Sequence, residues 1–259
     1  MSSKESRRVH WENFWEGKHD EVDEVYSNAD RILRNLRSVM DLSGKRVLEI
    51  GAGTGRDSFP LAEAGAAVYQ LDYAANSLLI LKNLARERGL ETAIVGGDTF
   101  QLPFRDESFD VVFHQGLLEH FRKPVARDLL KENIRVLKKG GYLLVDVPQR
   151  YHIYTVAKHI LMAMNRWFAG WERSFSVQEL RRDMRSLGLE PVAAYGEWMY
   201  PSFFYRVARE VGKKVGLSLP LAPKLFPPFT RMRTAIRVAL RETSVLLYSG
   251  ISIGVIAKK

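Results

Sequence analysis

Cysteine is absent from the 259 residues. That excludes disulfides, a cysteine nucleophile and any zinc or iron–sulfur centre held by thiolates. It fits a reducing compartment, and a cytoplasmic location is the expectation. Long apolar runs are missing as well. The longest stretch free of Asp, Glu, Lys and Arg is Thr243 to Ala257, 15 residues, against the roughly 20 that a membrane-spanning helix needs. With its Ser, Thr and Gly it reads as a buried strand and the approach to it. The N-terminus, MSSKESRRVHWENFW, lacks the apolar segment of a secretory signal. Internal repeats and low-complexity linkers are not seen. The chain is 46% hydrophobic and 27% charged, a globular composition long enough to bury its own core without staples.

Acidic residues are scarce in one segment. From Arg206 to Arg241 nine bases (Arg206, Arg209, Lys213, Lys214, Lys224, Arg231, Arg233, Arg237, Arg241) face a single acid, Glu210, and so carry nearly all of the net charge of +9. Two readings stand: a contact for something anionic, such as a membrane surface, or a solvated helical face.

Residues 1–44 have helical periodicity. Ile32, Leu33, Leu36, Val39 and Met40 recur at three- and four-residue spacing behind Asn28 as a cap. An aromatic cluster, Trp11, Phe14 and Trp15, precedes them, with Tyr26 following it. From Lys45 the period changes. Strands are expected at 45–50, 67–72, 92–95, 109–113 and 142–147. Helices are expected between them, at 56–65, from 76 or 77 to 89, and from Pro124 to Lys138. Pro60 is tolerable if Asp57 or Ser58 caps its helix and the proline falls in the first turn. Five strand–helix alternations predict a parallel sheet covered on both faces. Helices at 151–170 and 177–187 follow, then strands at 189–198 and 251–257. Pro220, Pro223, Pro227 and Pro228 break the basic stretch between the last two into helical pieces. The expected architecture is a doubly wound, mostly parallel α/β sheet of seven strands, with a helical N-terminal extension and helical insertions. Its parts are 1–44, a core at 45–150, an insertion at 151–188, final strands at 189–199 and 248–259, and a basic insertion at 200–247.

The most informative stretch is Glu49-Ile50-Gly51-Ala52-Gly53-Thr54-Gly55, between a strand and a helix. Glycines let the chain turn tightly and let a ligand approach the backbone, and the helix start that follows favours negative charge. Asp72 lies 21 residues after Gly51 at the end of the second strand, where doubly wound folds place an acid that accepts from ribose hydroxyls. The spacing is G-x-G-x-G, with Arg56 where a dinucleotide fingerprint needs glycine. A pyrophosphate therefore fits less well than a smaller group bearing a carboxylate.

In these motifs the sequence resembles the class I S-adenosylmethionine-dependent methyltransferases, type 11 group, over roughly residues 45–150 and the final strands. The pattern E-x-G-x-G-x-G runs from Glu49 to Gly55. Asp72-Tyr73 ends strand two, and Gly97-Asp98-Thr99-Phe100 follows strand three. Leu102 to Asp110 matches L-P-F-x-D-x-S-F-D, and Gly116-Leu117-Leu118-Glu119-His120 follows strand four. The resemblance implies a Rossmann-like fold and S-adenosyl-L-methionine as cofactor. It implies that Glu49 and the loop Gly51, Ala52, Gly53 and Gly55 hold the methionine end, and that Asp72 takes the ribose. Tyr73 would pack on adenine, and Asp98 would accept from its amino group with Thr99 and Phe100 beside the ring. His114 and Gln115 would lie near the reacting centre, with the N-terminal aromatics Trp15 and Tyr26 closing over the cofactor. His114 and His120 are the candidate bases. Glu119 could orient either, and His152 and His159 are weaker candidates. None of the six histidines has metal-site spacing. The N/D-P-P-Y/F motif of amino-methylating nucleic-acid enzymes is replaced by His114-Gln115-Gly116-Leu117, so nucleic acid is disfavoured. A small or lipid-like acceptor is expected, beside an anionic membrane surface touched through 206–241. The alternatives are a cofactor-binding or RNA-contacting protein without catalysis, and a nicotinamide-dependent oxidoreductase.

Overall fold

A computed structural model describes residues 8–16, 30–167, 169–198, 201–220, 226–241 and 243–259. Tyr26, Asn28, Pro223 and Lys224, singled out above, lie outside the described residues, as does Phe168. Seven strands form one sheet: β1 (Arg46–Ile50), β2 (Ala67–Asp72), β3 (Ala93–Gly96), β4 (Phe109–Gln115), β5 (Leu137–Pro148), β6 (Glu190–Glu197) and β7 (Ser252–Lys258), in the order β3-β2-β1-β4-β5-β7-β6. The pairs from β3 to β5 are parallel, while β7 runs antiparallel to both β5 and β6. The chain winds outward from β1 through β2 to β3, then returns to β4 on the other side of β1. The crevice outside the carboxyl ends of β1 and β4 is thus a topological switch point, where open α/β sheets bind ligands.

Alternation along each strand divides the core between the two faces. Leu48, Ile50, Val112, Leu143, Val145 and Val147 pack beneath Leu129 and Leu130 of α5 (Lys123–Val136) and Leu180 and Met184 of α7 (Val177–Arg185). On the other face Val47, Val111, Phe113 and Leu144 meet Ile32 and Leu36 of α2 (Arg31–Arg37) and Leu61 of α3 (Phe59–Glu63). Helix α4 (Ala75–Glu87) packs Leu81 and Ala85 against Phe59. Pro60 sits in the first turn of α3.

Several boundaries differ from expectation, among them the helix expected over 151–170, which ends at Ala163. Helix α5 stops at Val136 rather than Lys138, because the backbone amides of Glu107 and Ser108 donate to its last carbonyls, Arg135 and Val136, at 3.0 and 2.8 Å. Leu137 then pairs with Phe109, and Gly140, at φ 75°, lets β5 continue. Strand β4 runs on to Gln115, which pairs with Asp146.

The short helix α1 (Arg8–Glu16) precedes α2, and α6 (Ile153–Ala163) follows β5. The basic insertion folds as α8 (Phe203–Lys214) and α9 (Pro227–Arg241), the latter opened by Pro227 and Pro228, and α10 (Val245–Ser249) leads into β7. Among the described residues no helix is long and apolar enough to cross a membrane.

Candidate functional site

The switch point opens into a cavity of about 1040 Å³. Its floor at one end is the turn after β1. Gly51 and Gly53 have φ of 69° and 56°, values that a side chain would strain. The amides of Gly51 and Ala52 donate to Leu71 O at 2.8 and 3.0 Å, and that of Gly53 to Asp72 Oδ2 at 2.9 Å. The turn is therefore fastened to the end of β2. Asp72 is buried and also accepts from the Ala74 amide at 3.0 Å. Burial pushes its carboxyl above the usual range, and these amide hydrogen bonds oppose the shift. Tyr73, Leu78, Thr99 and the half-exposed Phe100 line the adjoining walls, with Asp98 at the rim. Asp98 Oδ1 accepts from the Phe100 amide at 2.9 Å, which shapes that turn. Glu49 is buried in the wall with Oε2 unpartnered. Burial, with Asp57 nearby, raises its carboxyl well above the ordinary range.

Helix α1 lies over this end. Glu12 accepts from the exposed first amides of α4, Ala75 at 2.9 Å and Asn76 at 3.4 Å. It caps a helix whose own N-cap residue, Ala74, has no side-chain acceptor. These amides lower its pKa. Trp15 sits so close to the turn that a Cβ on Gly53 would lie 2.8 Å from its ring. Trp11 stacks edge-on to His120 at 5.0 Å.

The far end of the cavity is bounded by Trp11, His120, Tyr154, Trp167 and Arg206, and by buried charges. Lys158 Nζ pairs with Glu172 Oε2 at 2.9 Å, and Trp167 Nε1 donates to Glu172 Oε1 at 3.0 Å. Arg31 Nε pairs with Asp146 Oδ2 at 3.2 Å, and the same oxygen accepts from Tyr195 at 2.8 Å. Burial raises Asp146 to about 6.

The family described as "Methyltransferase domain" matches residues 48–145. A ubiquinone biosynthesis O-methyltransferase of Dinoroseobacter shibae is 30% identical over 168 residues, 63% of this chain and 67% of that one. The chain belongs to the class I S-adenosylmethionine-dependent methyltransferases. A demethylmenaquinone methyltransferase of Renibacterium salmoninarum is 36% identical over 132 residues, 49% of this chain and 53% of that relative. The matches thus span about half to two thirds of these curated relatives. In fold, the chain is similar to an S-adenosylmethionine-dependent methyltransferase of Thermotoga maritima, with TM-score 0.63 and 21% identity over 98% of this chain and 100% of that one. It is also similar to the magnesium protoporphyrin IX methyltransferase of Synechocystis PCC 6803, solved with bound S-adenosylhomocysteine, with TM-score 0.58 and 15% identity over 98% and 85%. Membership decides against the nicotinamide-dependent alternative.

The residues of this methyltransferase fit its family's cofactor. The unpartnered Oε2 of Glu49 can accept from the amino group of a methionine tail. Asp72 spends two acceptor sites on backbone amides and keeps the rest of its roughly four for hydroxyls. Gln115 lines the cavity and is held by Arg56, whose guanidinium donates to its Oε1 at 2.7 Å.

Two residues carried over by the resemblance lie elsewhere. Gly55 does not line the cavity. A Cβ there would meet Gln70 at 2.4 Å and Phe59 and Leu81 at 2.7 Å, so it is a packing glycine. His114 is fully buried, also outside the cavity lining, and neither ring nitrogen has a partner. It shares the face of Val112, points into the core under α5 and α7, and burial lowers its pKa to about 3. It is withdrawn as a base. His120 does line the cavity, but burial lowers it to about 4, a weak proton acceptor. His152 caps α6, its Nδ1 accepting from the Tyr154 amide at 3.1 Å, and His159 is exposed. Among the described residues no cluster of His, Asp and Glu could hold a metal ion. Sequence reading missed Lys158, Glu172, Asp146 and Arg31. The available signal was one charged residue in an otherwise apolar run: Asp146 within Tyr142–Pro148 of β5, and Lys158 as the one Lys, Arg, Asp or Glu of α6.

Proposed function

We propose that this methyltransferase moves a methyl group from S-adenosyl-L-methionine to a small aromatic, quinone-like acceptor bearing a hydroxyl. The observation that carries this reading is one continuous cavity, running from the glycine turn to a chamber walled by Trp11, Tyr154 and Trp167. At about 1040 Å³ it exceeds the usual range of a single small-molecule site. A donor and a flat acceptor fit end to end. Relatives named for ubiquinone and menaquinone steps support the acceptor class. The cofactor supplies a methyl group already electrophilic on sulfonium sulfur. The chain has to align the acceptor with the carbon–sulfur bond and exclude water, which is worth several kcal/mol, up to about 7–11 in ideal cases. In the proposed assignment Glu49 takes the amino group, Asp72 the ribose, Asp98 the adenine amino group, and Tyr73, Thr99 and Phe100 flank the ring. Gln115 and the backbone of Gly51, Ala52 and Gly53 hold the tail, and α1 covers it. A screen of methyl transfer from labelled cofactor to phenols, quinols, lipids and RNA tests it. Transfer to phenols or quinols is the expected result, and transfer to RNA alone would replace this reading.

Peripheral contact with an anionic membrane surface is part of the same proposal. Three helices turn apolar stripes at three- and four-residue spacing outward: Ile153, Val156 and Ile160 on α6, continued by Met164 at its C-cap; Phe204, Val207 and Val211 on α8, continued by Val215 at its C-cap; and Phe229, Met232 and Ile236 on α9. Such faces with adjacent bases suit the interface of an anionic bilayer. The basic segment is less free than its composition suggests. Arg209 is buried, Arg206 lines the cavity, and Arg237 and Arg241 pair with Glu197. Lys213, Lys214 and Arg231 remain exposed. Vesicles containing phosphatidylglycerol should bind the protein at low salt. Neutralising those three residues should weaken binding by about fivefold each, since a base near such a surface contributes about 1 kcal/mol. Equal binding to neutral vesicles, or by the triple variant, would contradict the contact.

A further inference from the structure

Of the three buried carboxyls in the chamber, Glu119 is the one with no ion pair among the described residues. Glu172 has Lys158 and Trp167 as partners, and Asp146 has Arg31 and Tyr195. Glu119, in the short turn Leu118–His120, is buried in the cavity wall, and its Oε2 has no hydrogen-bond partner. The turn is fixed on both sides. The Glu119 carbonyl accepts from the Arg173 amide at 2.9 Å, next to Glu172. Its Oε1 lies 3.7 Å from where a Cβ on Gly116 would stand, beside Gln115 at the donor end. The charged groups that face Glu119 are Glu172, Lys158 and Asp146, with His120 its neighbour in the turn.

We propose that Glu119 carries a proton in the empty site, releases it when the positively charged donor binds, and then accepts the proton of the acceptor hydroxyl. The proposal rests on the reading of the cavity as donor and acceptor sites. Burial first, and then the Glu172 charge, raises the Glu119 carboxyl to about 8, so the empty site holds it protonated at neutral pH. A unit positive charge that came within about 6 Å of a carboxyl, in an effective dielectric of about 20, would favour its ionisation roughly a hundredfold. That is enough to carry such a group from mostly protonated to mostly ionised near neutrality. During transfer the acceptor oxygen forms its bond to the methyl carbon while the carbon–sulfur bond breaks onto sulfur. The hydroxyl proton passes to Glu119, and the neutral thioether product leaves the carboxyl protonated as at the start. His120, lowered to about 4, is the weaker base of the two.

Calorimetry near neutral pH, in two buffers of different ionisation enthalpy, counts the protons released on binding. Wild-type protein should release up to about one proton more with S-adenosylmethionine than with S-adenosylhomocysteine, which lacks the sulfonium charge, and Glu119→Gln should abolish that difference. The wild-type comparison of the two ligands decides the matter even if the variant does not fold. Equal proton release by wild type with both ligands, or a difference that persists in Glu119→Gln, would overturn the proposal and leave the cofactor reading standing. Failure of either ligand to bind would remove both. Glu119→Gln also separates the protonation from a merely structural role. Because the folded state holds this proton more tightly than the unfolded chain, wild type should lose stability relative to Glu119→Gln as pH rises from about 4.5 to about 8.

Discussion

Asp72→Ala is expected to weaken S-adenosylhomocysteine binding by a hundredfold or more. In the proposed assignment the carboxylate accepts from two ribose hydroxyls, and hydrogen bonds to a charged group contribute roughly 1.5–3 kcal/mol each. Even the lower figure, taken twice, exceeds two decades in affinity. A second loss runs in the same direction. Asp72 Oδ2 holds the Gly53 amide at 2.9 Å, and Oδ1 holds that of Ala74 at 3.0 Å. Removing the carboxyl unfastens the glycine turn from β2 as well as emptying the ribose site. Asp72→Asn keeps one acceptor oxygen without the charge and should fall between the two. Calorimetric titration measures all three, and an alanine variant within threefold of wild type would place the ribose elsewhere.

The half of this cavity proposed for the donor was legible in the sequence because its chemistry is local. A strand, a glycine turn with left-handed residues and an acid at the next strand end all follow from short segments. Thus β2 is observed at the expected Ala67–Asp72, and Glu49, Gly51, Gly53 and Asp72 converge on the cavity. His114 shows where that reasoning fails. It lies next to Gln115, which does line the cavity, but successive strand residues point to opposite faces, so it faces the core opposite Val145. The half proposed for the acceptor was legible only in the turn after β4, where Glu119 and His120 stand. Its other groups come from β5, from α6 and from the segment before α7, and only packing brings them together. The same holds for Glu12, whose partners Ala75 and Asn76 are 63 and 64 residues away.

The pair Lys158–Glu172 should be costly to break and nearly neutral to replace. Lys158 is completely buried, and its ammonium lies 2.9 Å from Glu172 Oε2. Lys158→Met keeps most of the aliphatic volume but strands the Glu172 charge, with only Trp167 Nε1 left to answer it. Breaking such a pair typically costs about 3–5 kcal/mol. The double variant Lys158→Met with Glu172→Gln removes both charges and leaves an amide oxygen for Trp167. It should therefore recover most of the loss. Urea unfolding of wild type, both single variants and the double variant closes the cycle. A loss below about 1 kcal/mol for Lys158→Met would mean that water reaches the pair and shields it. That would also undercut the low-polarity surroundings on which the elevated Glu119 carboxyl depends. The stability cycle and the proton count on ligand binding therefore test the same chamber from opposite sides, one with no ligand present and the other with no acceptor.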